Sequence, residues 1–330
     1  MKFLSLLAAL LLEQVRPLRQ GNRVNLSFNR YAAALERHFN AGQQRHGVIA
    51  WMLAVVPVLL AVAAVYHVLH ALNPLLGWAW NVVVLYLTMG FRQFSHYYTE
   101  IQQALRDGNL AAARELLGRW RGESATEFGA GEIARVAIEQ GLLASHRHVF
   151  GTVAWFLALG PAGALLYRAS AMLAGKWSGS AGAGYGEFGR FAGRAYFWID
   201  WLPARLTAAS FAIVGNFEDA VYCWRTQAAA WATQAHGIIL ASGGGALGVR
   251  LGDPLHQHGD LQFRPELGTG DEADTGYMQG AAGILSELGI SVETTVASAH
   301  RSPARVQRLV AEAPARGVRL FIVGAGAAAH

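Results

Sequence analysis

Long uncharged runs alternate with arginine-bearing polar stretches along most of this chain, and near Met278 that rhythm stops. Val48 to Leu72 is the clearest apolar run, with no acid, lysine or arginine and with His67 and His70 only at its far end. Asn73-Pro74 then breaks the pattern, since proline has no N–H to donate and restricts the residue before it. A second run, 75–90, follows directly, and the two predict a tightly turned helical hairpin. Two further runs, 149–173 and 196–215, are interrupted by Gly160-Pro161 and by Pro203. A shorter one opens the chain at 1–12, where Glu13-Gln14-Val15-Arg16 offers no small-residue cleavage site, so a retained helix is expected. The pattern predicts an α-helical, polytopic membrane protein with about four to five membrane helices, followed by a short C-terminal α/β (βαβ) fragment.

Composition agrees with a bilayer as solvent. Hydrophobic residues make up 53% and charged residues 15%, against roughly 25% charged in an ordinary soluble domain. The single cysteine, Cys223, excludes an intrachain disulfide and a multi-cysteine zinc site. The net charge of +5 comes largely from arginines beside apolar runs, which suits anionic lipid headgroups better than nucleic acid. The partners implied are therefore a lipid bilayer and no nucleic acid. Arginines concentrate in 13–47 and in 91–148, which orients both to the cytoplasm of an inner-membrane protein. Lys176, Arg190 and Arg194 fall on the opposite side and violate that orientation. The stretch 91–148 also spaces Ile101, Leu105, Leu110, Leu116 and Leu117 at helical intervals and carries acids, the pattern of a solvated helical segment. Gly175 to Gly189 and Phe263 to Thr275 read as a flexible loop and an exposed linker.

Charges inside apolar runs are the first candidate site residues. Arg168 and the pair Asp200 and Arg205 are expensive in lipid and should face protein or water, unless both stretches lie at the interface with the arginines reaching phosphates. His146 and His148, and His256 and His258, form H-x-H pairs without a third ligand at useful spacing, so they read as loop or interface histidines and no metal or cofactor is expected. Glu139 reads as a solvated helix face. Gly243-Gly244-Gly245 lacks the preceding strand and following Lys-Ser/Thr of a phosphate loop.

These stretches carry a resemblance over roughly 1–280. Trp201 to Thr207 (W-L-P-A-R-L-T) resembles the W-I-P-A-R-L-T signature of the CobD/CbiB family of cobalamin-biosynthesis membrane proteins. Gly163 to Ala169 is similar to that family's G-A-L-x-Y-R-A, and Ala246 to Gly252 to its A-L-G-V-x-L-G-G. The related AmpE proteins share the framework and open like Leu10 to Arg19 here. The resemblance implies a multi-pass inner-membrane fold and a corrinoid ligand. Members that make adenosylcobinamide carry G-D-P, P-H-P-V, G-R-D-T and E-S-V-A-E-N. The first two have no counterpart between Leu11 and Val48, and Gly122 to Ala125 and Glu139 to Ala144 stand at the others. The resemblance therefore implies the fold more firmly than the synthase activity, with an accessory or signalling role as the other reading.

The last stretch, 281–330, changes pattern. A strand at Ser291 to Ala297, a helix at Pro303 to Arg316 with Ser302 as N-cap, and a strand at Val318 to Val323 form a βαβ order whose ligand sites lie at the strands' carboxyl ends. Ser298-Ala299-His300-Arg301 and Gly324 to His330 occupy those ends. They resemble S-A-H-R-T-P and G-A-G-G-A-A-H of the PurE family, the carboxyaminoimidazole ribonucleotide mutases. That resemblance implies His300 as acid/base, with Ser298, Arg301 and His330 on a nucleotide. Only part of such a domain is matched, without its first strand and phosphate loop, so an inactive, cytoplasmic segment is expected. Tyr277 to Ala282 fits both families, the mark of a chimeric join. Oligomeric state is not legible in the sequence.

Overall fold

The structure, a computed structural model, describes residues 2–16, 23–40, 42–178, 186–257, 260–272 and 276. The chain divides into two compact units, 1–285 and 286–330. The expected strands and helix of 291–323, with Ser298, His300, Arg301 and His330, lie outside the described residues.

Helix α1 (Lys2–Val15) and helix α2 (Arg23–Phe39) precede the longest apolar helix, α3 (Gln44–Leu72). Asn73 then turns the chain into α4 (Pro74–Thr88): its side chain accepts from the Leu75 N–H and Pro74 takes the first helical position, as the hairpin reading expected. Next come α5 (Phe91–Arg106), α6 (Leu110–Arg121) and α7 (Ala130–Ser145). One π-helical turn (His146–Phe150) joins α7 to α8 (Gly151–Leu159). Gly160, at φ 68°, breaks the helix before α9 (Pro161–Trp177). Helix α10 (Gly186–Val214), α11 (Phe217–Gln227) and α12 (Gln234–Leu247) complete the helical part.

Short strands close the described chain: β1 (Val249–Leu251), β2 (Leu255–Gln257), β3 (Asp260–Gln262), β4 (Leu267–Gly268) and β5 (Asp271–Glu272). β1 sits between β4, antiparallel to it, and β5, parallel to it, while β2 and β3 form a hairpin.

Three apolar clusters hold the unit together. The largest joins α5, α6 and α7 to α10, α11, α12 and the strands. A second joins α2, α3, α9 and α10, and a third joins α1, α4, α5, α8 and α9. The most enclosed element is α12, and its glycines explain why. A Cβ on Gly243 would meet Leu142 of α7, one on Gly244 would meet Gly268 and Val249, and one on Gly245 would meet Asp219 and Ala220 of α11. The triple glycine is thus a helix interior that lets three neighbours approach closely.

Several expectations are corrected. Pro203 does not interrupt its run, since α10 is continuous with the proline inside it. The carbonyl that Pro203 leaves without a helical partner is that of Ile199, four residues earlier, and Trp155 Nε1 of α8 donates to it at 2.9 Å. Pro57 inside α3 repeats the device: Tyr31 of α2 donates its hydroxyl to the Leu53 carbonyl at 2.8 Å. Helix α7 is not solvated, because Ile133 through Glu139 are all buried. Nor is 263–275 a free linker, since Leu267 is fully buried although Phe263 is exposed. Positive φ at Gly268 and Gly270 lets that backbone lie against Gly244, Gly248 and Val249.

Among the described residues, one helix, α3, is long and apolar enough to cross a membrane by length and composition, and α4 is a shorter apolar helix. The run 149–173 is divided at Gly160 into α8 and α9, and α10 carries charges along its length. α3 exposes Ile49, Met52, Leu60, Val65, Val68 and Leu72, and α10 exposes Phe197, Trp198, Trp201, Leu202 and Leu206.

Candidate functional site

A cavity of about 650 Å³ lies where the π turn meets α9, α10, α12 and the strand region. Adding one residue to a helical turn re-aims the side chains around it, and such turns are frequent at functional sites. Here the turn sends His146 inward, where it is buried. Its Nε2 lies 2.8 Å from Asp200 Oδ1 and its Nδ1 lies 2.9 Å from Thr207 Oγ1. Thr207 donates to the Pro203 carbonyl at 2.9 Å, leaving its oxygen to accept from the imidazole. Tyr167 of α9 donates to the same Asp200 oxygen at 2.8 Å and lies 3.2 Å from the Tyr196 hydroxyl. Four side chains from three elements therefore fix one carboxylate. Gly151 makes room for this arrangement, because a Cβ there would stand 2.0 Å from the Tyr167 ring.

A second polar group reaches the cavity through Glu139 and Arg264. Glu139 accepts a two-pronged contact from Arg264, at 2.8 and 3.0 Å, and the Gly252 N–H at 2.9 Å. Arg264 also donates to the carbonyls of Gly252 and Asp253 and lies over the Trp231 ring. Arg135 binds Asp253 at 3.1 Å and the Pro254 carbonyl at 2.8 Å. Glu132, one turn earlier, accepts from the Gly129 N–H and from both the backbone and the ring of His256. Burial pushes the Glu132 carboxyl up, but these donors outweigh it and hold it below its ordinary range. Polar residues of α7 are buried because the strand region brings their partners.

Arg147, His148, Arg168 and His236 also line the cavity. Arg168 Nη1 lies 3.1 Å from His148 Nδ1. Burial first, then the Arg168 and Arg147 guanidinium groups, push His148 well below the usual histidine range. Burial and Arg147 push His236 down to about 4.

The sequence candidates fare unequally. Arg168 and Asp200 both line the cavity. Arg205 does not: its guanidinium lies 3.9 Å from the Trp201 ring centroid and its Nη1 donates to the Trp201 carbonyl. Five residues along a helix turn a side chain by about 140°, so Asp200 and Arg205 point to different sides of α10. Asp200 pairs with His146 instead, a residue read from sequence as a loop histidine. Glu139, read as solvated, and Arg264, read as linker, also line the cavity. Of the second H-x-H pair, His256 contacts Glu132 and His258 lies outside the described residues. Among the described residues, no group of three His, Cys, Asp or Glu side chains is placed to hold a metal ion. One signal for the site was present in the sequence. Tyr167 and Arg168, Thr207, and Gly252 belong to three separate motif stretches, and all converge here.

The CobD/Cbib protein family matches residues 6–285. The chain belongs to that family. Among its relatives, the cobalamin biosynthesis protein CobD of Stutzerimonas stutzeri is 35% identical over 287 residues, covering 86% of this chain and 93% of the relative. CobD of Chromobacterium violaceum is 37% identical over 224 residues, covering 68% and 70%. CobD of Mycobacterium tuberculosis is 31% identical over 261 residues, covering 76% and 80%. The AIR carboxylase family matches residues 267–330. The two matches overlap from 267 to 285, so the second begins upstream of the join expected at 281 and includes β4 and β5. No solved structure matches the chain.

Proposed function

We propose that this CobD/CbiB-family chain acts in a corrinoid-linked step of cobalamin biosynthesis and that the cavity beside the π turn is its ligand site. The observation that carries this reading is that three motif stretches, remote in sequence, meet residues of one polar cavity: Arg168 lines it, Thr207 bonds His146 and Gly252 bonds Glu139. A carboxylate held by His146, Tyr167 and, through His146, Thr207 is a preorganised acid/base group, and Arg168 supplies positive charge in the same cavity. An amine that attacks an activated carboxyl forms the C–N bond as the C–O bond to the activating group breaks, and this needs both functions: a cation to hold the carboxyl oxygens and a group to take the amine's proton. Gln140, Leu143 and Ala144, which stand where family synthases carry other polar residues, line the same cavity. The departures at 140–144 therefore fall on the cavity lining, whereas Gly122 to Ala125 stand away from it.

The protein is read as multi-pass in an inner membrane, with α3 and α4 as the hairpin and with α1, α8 with α9, and α10 as the further spans. The broad apolar exposure of α3 and α10 supports lipid contact, since soluble monomers rarely leave such faces uncovered. The C-terminal carboxylase-type segment is read as cytoplasmic. The test is complementation of a cobalamin auxotroph lacking its CobD-type protein. Growth should depend on His146 and Asp200, being lost in His146→Asn and Asp200→Asn and kept in Arg205→Gln. Failure of the parent chain to support growth would leave the accessory reading.

A second reading rests on the AIR carboxylase match: a mutase of purine synthesis, with His300 as acid/base and Ser298, Arg301 and His330 on a nucleotide. The unit that precedes the match belongs to the CobD/CbiB family, so the first strand and phosphate loop of a carboxylase do not stand before it. We read the segment as inactive for that reason.

A further inference from the structure

We infer that Thr207 is a positioning residue that holds His146 as an imidazolium in the resting protein, so that only the carboxylate of the His146–Asp200 pair can act as a base. This deepens the acid/base reading above and rests on it only for the use to which the charge is put.

The argument is a count of protons. A threonine hydroxyl has one hydrogen to give and lone pairs with which to receive. Thr207 gives its hydrogen to the Pro203 carbonyl at 2.9 Å, the back-bond that threonine forms inside a helix. Its oxygen, 2.9 Å from His146 Nδ1, is left to accept there, so Nδ1 carries a proton. On the other side of the ring, Nε2 lies 2.8 Å from Asp200 Oδ1, the length of a charge-assisted N–H···O bond. The same Oδ1 accepts from Tyr167 at 2.8 Å, so that oxygen is an acceptor twice over and Nε2 is the donor. Two donating nitrogens make an imidazolium, whereas a neutral ring has one donor and one acceptor.

The surrounding hydrogens run the same way. The Tyr167 hydroxyl is spent on Asp200, so the Tyr196 hydroxyl, 3.2 Å away, donates to it, and Arg147 in turn bonds Tyr196. Of the other charged groups lining the cavity, Arg147, Arg168 and Arg264 are cations, Glu139 is taken by Arg264, and His236 of α12, pushed down to about 4, is neutral. Asp200 is therefore the counter-ion, and both members of the pair are buried. A buried ion pair persists where its remaining polar atoms are bonded as well, which is what Thr207 does at Nδ1. Both protein donors fall on Oδ1, so Asp200 Oδ2 is the oxygen left to receive a proton in the cavity. His146 orients that carboxylate and cannot receive a proton without first losing one.

Long-range proton–nitrogen NMR of the purified full chain in detergent, isotope-labelled at the nitrogens of its histidine rings, tests this. The measurement is made at about pH 7.5, where a free histidine is about nine-tenths neutral. The His146 signals are identified by their loss in His146→Asn or, should that variant not fold, by through-space contacts with the neighbouring Tyr167 ring. Both ring nitrogens of His146 should be protonated in the parent and in Thr207→Ser, which keeps the hydroxyl. In Thr207→Val, which keeps the shape and removes the acceptor, the Nδ1 proton should be lost and Nε2 alone remain protonated. A singly protonated ring in the parent overturns the charged pair. A doubly protonated ring retained in Thr207→Val overturns the part given to Thr207. Because no substrate enters the measurement, either failure would leave the cobalamin reading standing, and failed complementation would leave the imidazolium standing.

Discussion

At the scale of single residues, the site depends on a tightly filled space. Gly151 is the most exposed to test, because its missing side chain is where the Tyr167 ring lies. Gly151→Ala should destabilise the protein by about 1–3 kcal/mol, as overpacking of a filled core does, and should also abolish complementation by pushing Tyr167 off Asp200. A melting curve in detergent beside the growth assay separates the two effects. Histidines give the second residue-scale expectation. His236 is held down to about 4 in the folded protein, against roughly 6.5 when unfolded. The unfolded chain therefore binds more protons between these values. The stabilising contribution of neutral His236 is complete above about pH 6.5 and is lost as pH falls through that window, amounting to about 2 kcal/mol at pH 5. His148, also pushed down, acts in the same direction. Melting temperature should fall between neutral pH and pH ~5, and His236→Asn should flatten that slope. An unchanged slope would mean that His236 titrates normally.

At the scale of elements, α7 shows what periodicity missed. Ala130–Ser145 carries Glu132, Arg135 and Glu139 among apolar residues, and such a helix reads as amphipathic. Arg135 and Glu139 are buried and Glu132 is half-buried because chain more than a hundred residues later returns to meet them: Arg264 for Glu139, Asp253 for Arg135 and His256 for Glu132. No local pattern encodes partners at that separation. Glu139→Gln should cost about 3–5 kcal/mol, because it strands the Arg264 guanidinium in a mostly buried place. Arg264→Met, made together with it, should recover part of the loss, and calorimetric or thermal unfolding of the three variants reads this directly. The hairpin of α3 and α4, by contrast, was legible in Asn73-Pro74, because capping chemistry is local. So was the break at Gly160-Pro161. The supposed break at Pro203 was not, since the remedy lies on another helix.

At the scale of the whole molecule, two families meet in one chain, with their matches overlapping at 267–285. The second family was legible in the motifs Ser298 to Arg301 and Gly324 to His330. The site was half visible: Arg168 and Asp200 stood out as charges in apolar runs, whereas His146, Glu139 and Arg264 sit in segments whose polar character looked ordinary. The large apolar faces of α3 and α10 predict that the full chain sediments with membranes and resists carbonate extraction. Recovery in a detergent-free high-speed supernatant would refute this. The full chain should not rescue a purine auxotroph lacking the mutase, with His300→Asn as the control that identifies any growth as real. Growth dependent on His300 would show that the carboxylase-type segment works without a first strand and phosphate loop preceding it.

The two prolines inside long helices have a further consequence for how substitutions combine. Trp155 donates to the carbonyl freed by Pro203, and Tyr31 to the one freed by Pro57. Each aromatic donor is useful only while its proline is present, and each proline is tolerable only while its donor is. Removing the donor alone, as in Trp155→Phe, should cost about 1–3 kcal/mol for an acceptor left without water or partner. In Pro203→Ala the new backbone N–H competes for the Ile199 carbonyl, so Trp155→Phe should cost much less in that background. A double-mutant cycle on each pair would therefore return a coupling energy of about 1 kcal/mol or more, and the genetic trace of it is epistasis. The α8–α10 and α2–α3 contacts should each tolerate loss of proline and donor together better than loss of the donor alone, so that in this chain the residues that break helices also specify which helices meet.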